Sequence, residues 1–343
     1  MRQTTTCDEW HRDALGVDVK VPNDRSATVP DFFCDVRRMP MCPISETYLT
    51  TVFYQILSSA CLLQKSHRGL FLDIGANAGF YSLYGATVGC EVLSFEMQTG
   101  VFDSSLVKVN HLCDRISLIN HPVADSHRRT FIHGEAGWAH MESSKLPGDD
   151  AEAGAWTVTL PFILQYERRP IVLTKIDTEG AEIVVLRSLL EALAAGHVFE
   201  NIVLEFTPSW WSRYGVGVSQ GVDVLREFEP LGYELYTIQW CQRARLETCS
   251  KIDCTPENIR DITCEPPGNV SWADPDFEHV RRVGFGGALA KLTAFLAKFD
   301  SDVYPPVHYG DPTHTVELWI SKTKGASRYV KGPVTLSKSV LGQ

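Results

Sequence analysis

Residues 70–83 read LFLDIGANAGFYSL. The apolar run at its start fits a strand buried on both faces. It ends in the turn Asp73-Ile74-Gly75-Ala76-Asn77-Ala78-Gly79 and passes into a helix-like stretch. Gly75 lets the backbone turn tightly, and Gly79 lets another group pack close to the helix start. A helix beginning there presents free backbone N–H groups. The dinucleotide fingerprint G-x-G-x-x-G fails, because Asn77 stands at its middle position and Phe80 at its last. The Gly-Lys-Ser/Thr of a phosphate loop is also absent. The turn therefore predicts a site for a nucleoside without a phosphate chain. Asp73 adds a negative charge that would repel pyrophosphate and suit an ammonium or a sulfonium.

Outward from this turn, strand-like and helix-like blocks alternate. Strands are expected at Leu70–Ile74, Glu91–Phe95, Ile116–Asn120, Ile171–Asp177, Asn201–Phe206, Tyr233–Ile238 and Thr315–Ser321. Helices are expected near Tyr48–Gln64, Phe80–Thr87, Phe102–Leu112, Ala181–Ala195 and Val222–Phe228. That rhythm predicts an α/β domain, a mostly parallel sheet with helices on both faces. Residues 1–45 hold several prolines and read as a loop-rich extension before a domain spanning 46–343. Its core is expected at 69–238 and 315–322. Thr130–Val158 reads as a polar hairpin or excursion. Gln239–His314 reads as an insertion with a helix at Ala288–Phe299, and its place before the last strand suggests a cap over the site.

Glu96 closes the second strand, 21 residues after Gly75, where an acid accepts both hydroxyls of a ribose. Asp177 closes the fourth, in Lys175-Ile176-Asp177-Thr178-Glu179-Gly180-Ala181-Glu182, and Glu205 closes the next, in NIVLEF. Ligands of open α/β sheets bind beyond the carboxyl ends of the strands. Asp177 and Glu179 are thus expected to face the crevice that holds Gly75. Lys175 lies two residues from Asp177 and shares its face of the strand, as a salt-bridge partner or as a charge that tunes it. Glu182 falls in the first helical turn and reads as structural. Trp210, Trp211 and Tyr214 either wall a substrate pocket or pack.

The formal net charge of -10 repels phosphate backbones and argues against nucleic acid as a partner. No apolar run is long enough to span a bilayer, and the start lacks the apolar stretch of a secretory signal. A cytoplasmic place is the default expectation, with a lumenal one open if a longer precursor exists. Of the ten cysteines, Cys241, Cys249, Cys254 and Cys264 crowd the insertion without the paired spacing of a zinc site. Disulfides and free thiols stand as equal readings. Asn269-Val270-Ser271 is an N-glycosylation sequon.

The segments FLDIGANAGFYSL, EVLSFEM, NHPVAD, KIDTEGAEIVVLRSL and NIVLEF resemble the FkbM family of methyltransferases, over roughly Leu70 to Phe206. The resemblance implies a Rossmann-like class I fold, with seven strands and an antiparallel last strand. It implies S-adenosylmethionine as cofactor and O-methylation of hydroxyls, often on sugars or natural products. By position, Asp73, Gly75, Asn77 and Gly79 would cradle the methionine part, Glu96 the ribose, and Val123 would lie near adenine. Asp177 would stand where methyl meets acceptor. Two places depart from the family: Met97 follows Glu96 where proline is common, and Thr159-Leu160-Pro161-Phe162 replaces a segment that usually carries two aspartates. The second departure puts the usual helix start there in doubt.

Methyl transfer from a sulfonium is an in-line displacement in which the protein aligns the reactants. A hydroxyl acceptor must also lose its proton. Asp177, Glu179 and Glu205 are the candidate bases, with Asp177 favoured and tuned by Lys175. A metal bridging Asp177 and Glu205 is the alternative means of acidifying the acceptor. A protein that kept the fold and lost catalysis is the competing function. The acceptor and the oligomeric state are not legible in the residues.

Overall fold

The computed structural model describes residues 49, 52–53, 56–62, 69–98, 100–102, 104–133, 140–142, 154–238, 280–297 and 316–322. The N-terminal extension, the sequon and the four clustered cysteines lie outside them.

Strand β1, Leu70–Ile74, is buried along its whole length. It pairs in parallel with β2, Glu91–Phe95, and with β7, Ile171–Ile176. β2 pairs with β3, Ile116–Ile119, and β7 with β8, Asn201–Phe206, both again in parallel. The chain thus builds outward from β1 in one direction, returns, and builds outward in the other. The crevice between the carboxyl ends of β1 and β7 is the switch point where such sheets bind ligands.

Beyond β8 the last strand β11, Val316–Lys322, runs antiparallel between β8 and β9, Tyr233–Ile238. A three-residue strand β10, Val280–Arg282, adds an antiparallel edge. The order is β10-β9-β11-β8-β7-β1-β2-β3, the expected seven strands with an eighth supplied by the end of the insertion.

The two faces of the sheet carry separate apolar cores. On one, Leu70, Leu72 and Ile74 meet helix α4, Glu182–Ala194, and its neighbours α5, Val218–Arg226, and α6, Gly287–Leu296. On the other, Phe71 and Leu173 meet helix α1, Phe80–Val88, and helical residues Leu49, Phe53, Ile56 and Leu57. Period-two alternation along β1 assigns its side chains to these faces. A π-helical turn at Ser58–Leu62 follows, and a disulfide between Cys61 and Cys90 ties it to the start of β2. Cys113 is also disulfide-bonded, and none of the described cysteines is free.

The polar excursion is a small antiparallel sheet with β4, Arg129–His133, between β5, His140–Glu142, and β6, Gly154–Trp156. It leaves from the β3 side, and β5 reaches the 3-10 turn Pro208–Tyr214 that follows β8. The small sheet therefore crosses the carboxyl-end side of the main sheet. The cap expected of Gln239–His314 falls mostly outside the described residues. Its described part, α6, packs against α5 and the same 3-10 turn.

Two short helices complete the core, α2, Ser104–Val109, and α3, Leu160–Leu164. The second forms despite the missing acids. Pro161 is tolerated in its first turn, and the buried Ser188 hydroxyl on α4 accepts the Leu160 N–H at 2.8 Å. No described helix is long and apolar enough to cross a membrane.

Candidate active site

The glycine turn is built by hydrogen bonds that only a sharp reversal allows. The N–H groups of Gly75 and Ala76 both donate to the carbonyl of Phe95, each at 2.9 Å. Gly75, Asn77 and Gly79 have φ of 81°, 49° and 92°, the region that favours glycine and tolerates asparagine. A Cβ on Gly75 would lie 1.7 Å from the carbonyl oxygen of Asp177. The absence of a side chain at Gly75 thus lets the β1 turn and the β7 end approach each other.

Glu96 is pinned from two sides. Its carboxylate accepts the Asn77 N–H and the Gln98 N–H, both at 2.8 Å. Asn120 donates to its backbone carbonyl at 2.6 Å. Burial raises the Glu96 carboxyl, and those two N–H groups work against the rise.

At the other wall, Lys175 Nζ lies 2.6 Å from Asp177 Oδ2. The lysine is buried, and the Asp177 side chain keeps 30% of its exposure. Burial opposes ionisation of Asp177, but the Lys175 ammonium and a hydrogen bond with Glu205 outweigh it and hold the carboxyl below its usual range. Glu205 is pushed well above its range by burial and by the charges of Asp177 and Glu179. The two carboxyls are therefore pushed in opposite directions, Asp177 toward its charged form and Glu205 toward its neutral one. Glu179, at φ 51°, is raised by burial and by Asp177 and Glu182. Oxygens of Asp177, Glu179 and Glu205 come within 4.8 Å of one another. Lys175 offsets part of that charge.

An open cleft joins the two walls. Gly75, Asn77, Glu96, Met97 and Val123 line it, with Asp177 and Glu179 at its other side. Lys175 and Glu205 stand outside the lining, behind Asp177. Asp73 does not line the cavity: its side chain is fully buried, and Ser82 Oγ donates to its Oδ2 at 2.5 Å. It sits on β1 one residue before the strand ends and bonds to α1, turned away from the cavity where an ammonium contact was expected. Gly79 also lies away from the lining. A Cβ there would come 2.7 Å from the Phe102 ring, which makes its role a packing one.

Of the two readings of the aromatic residues after β8, packing holds for Trp211. Trp211 is fully buried and donates its indole N–H to Glu182 at 3.0 Å, so it packs. Glu182 also accepts the Gly180 N–H at 2.7 Å, and burial drives its carboxyl up to about 8. Its structural reading stands, as an interior clasp instead of a surface charge at a helix end. Sequence reasoning missed His121, which lines the cavity while its Nδ1 meets the Trp156 carbonyl at 2.8 Å. It also missed Tyr81, whose ring lies 4.6 Å from Lys175 Nζ. Both lie within quoted motif segments, Tyr81 in FLDIGANAGFYSL and His121 in NHPVAD, but their roles depend on contacts across the fold.

The family model of the methyltransferase FkbM domain matches residues 73–235. No curated protein matches the sequence. Similar solved structures include the METTL16 methyltransferase domain, at 18% identity and TM-score 0.31, covering 57% of this chain and 60% of that one. The human methyltransferase 10 domain containing protein shows 15% identity and TM-score 0.34, covering 68% and 88%. An O-methyltransferase of a polyketide multienzyme from Brevibacillus brevis, in complex with S-adenosyl-L-homocysteine, shows 10% identity and TM-score 0.32, covering 91% and 88%. Likenesses this distant carry no argument here; the strand order and the family match do.

Proposed function

We propose, from the match of residues 73–235 to the methyltransferase FkbM domain, that this chain uses S-adenosylmethionine to methylate a hydroxyl of a carbohydrate or small-molecule acceptor with Asp177 as base. The carrying observation is the cavity itself, which joins the glycine turn and Glu96 to an ionised Asp177.

The cavity suits the cofactor. The Glu96 carboxylate is fixed by two N–H donors and turns its remaining acceptor capacity toward the space, as a ribose diol requires. When bound, the cofactor supplies a methyl group already activated on a sulfonium. The chain's residues do the rest. Met97 and Val123 offer apolar contact for the base, and Gly75 leaves room beside the turn. Asp177 takes the acceptor hydroxyl's proton as the oxygen–methyl bond forms, and passes it to solvent afterwards. Lys175 and the protonated Glu205 keep Asp177 charged until then.

A binding protein without turnover is the competing reading. It drew on the missing acids before Pro161; α3 forms without them, with Ser188 accepting its first N–H. The Cys61–Cys90 bond favours an oxidising compartment over the cytoplasm.

The test is a labelled-methyl screen against sugar, lipid and polyphenol pools, with the Asp177→Asn chain as control. A labelled product that needs Asp177 is expected, and it should form in the presence of chelator. Tight cofactor binding with no labelled product in any pool would favour the binding-protein reading.

A further inference from the structure

We infer that Tyr81 is a positioning residue for this reaction: its ring face holds the Lys175 ammonium against Asp177 and away from Asp73. The inference rests on the reading of Asp177 as base. Asp73 and Lys175 are register partners on β1 and β7. Both lie on the sheet face that also carries Phe71 and Leu173, beneath α1. One buried ammonium thus stands between two carboxylates. Asp73 keeps one oxygen, Oδ1, buried and without a hydrogen-bond partner, so it is an open competitor for Lys175. Yet the ammonium lies 2.6 Å from Asp177.

The contact that favours that side is Tyr81. Its ring centroid lies 4.6 Å from Nζ, within range for a cation over the negative face of an aromatic ring. The ring is itself held. Tyr81 is 7% exposed, Phe53 packs at 4.9 Å and Phe80 meets it edge-on at 5.0 Å. A flexible four-carbon stem is thereby confined to one carboxylate. Other charges act on the two carboxylates. Glu205 on β8 bonds Asp177, while Glu179 and Glu182 after β7 and Glu96 after β2 interact with it electrostatically. Among these contacts, the Tyr81 ring is the one that meets the ammonium through an uncharged face.

The experiment replaces Tyr81 in the full chain with phenylalanine and then with progressively fluorinated phenylalanines. These keep the ring's shape and weaken its negative face. The readout is the carboxyl carbon titration of Asp177 by NMR, assigned by its loss in Asp177→Asn, with no acceptor needed. Tyr81→Phe should titrate like the wild type. The midpoint should rise by about one pH unit from phenylalanine to the fully fluorinated ring, as Lys175 leaves Asp177. A midpoint that is unchanged along the series overturns the inference, as does a Tyr81→Phe chain already displaced as far as the fluorinated one. Failure of the base reading is separate: it would show as wild-type turnover in Asp177→Asn, with the titration series intact.

Discussion

Glu96 and Asp177 face one cavity and have opposite tasks. Glu96 is held by the chain so that it can hold a ligand. Glu96→Ala removes the acceptor for a diol, and calorimetry should show S-adenosylhomocysteine binding weakened by roughly ten- to a hundredfold. Asp177→Asn keeps the size and removes the negative charge and the basic lone pair. Turnover should fall by roughly a hundred- to ten-thousandfold, while the same calorimetry finds product affinity within a few-fold of wild type. A variant that loses binding and turnover together would make Asp177 a cofactor residue. Sequence spacing located both acids. It could not give their states, because those depend on burial and on the charges that Lys175, Glu179 and Glu205 bring from elsewhere in the fold.

At the scale of elements, Gly75 and Ser188 are the junctions. The Gly75→Ala chain must part the β1 turn from the end of β7, since its Cβ would meet the Asp177 carbonyl at 1.7 Å. We expect it to express as insoluble protein or to melt well below wild type, as judged by circular dichroism. Ser188→Ala removes the acceptor for the first N–H of α3 and should cost about 1–2 kcal/mol in denaturant unfolding. The strands around β1 were legible almost residue for residue, because continuous apolar runs between turn signals have few other readings. α3 was not, because its start depends on a hydroxyl from 28 positions further along the chain. Asp73 was legible as an acid beside the turn but not in its direction, which follows from the pleat of β1 and from Ser82 on α1. The tryptophans after β8 read as pocket or core, with core the commoner case, and the buried carboxyl of Glu182 decides for core at Trp211.

Across the whole molecule, several carboxyls are buried with too little positive charge beside them. Glu182 is the clearest, raised from 4.5 to about 8 chiefly by burial. Its folded form holds a proton that its unfolded form has already lost over that interval. The stability it contributes is therefore complete below about pH 4.5 and is lost as the pH rises through about 8. Glu179 and Glu205 act in the same direction, while His197, lowered by burial, opposes them with one charge. Denaturant unfolding should give a lower free energy at pH 8.5 than at pH 5.5, and a higher one would contradict this account. The Cys61–Cys90 bond sets a further condition on the living system. If the domain works where thiols oxidise, its methyl donor must arrive there bearing a permanent charge that hydrocarbon excludes. Turnover there would then depend on a carrier that brings fresh donor through the membrane.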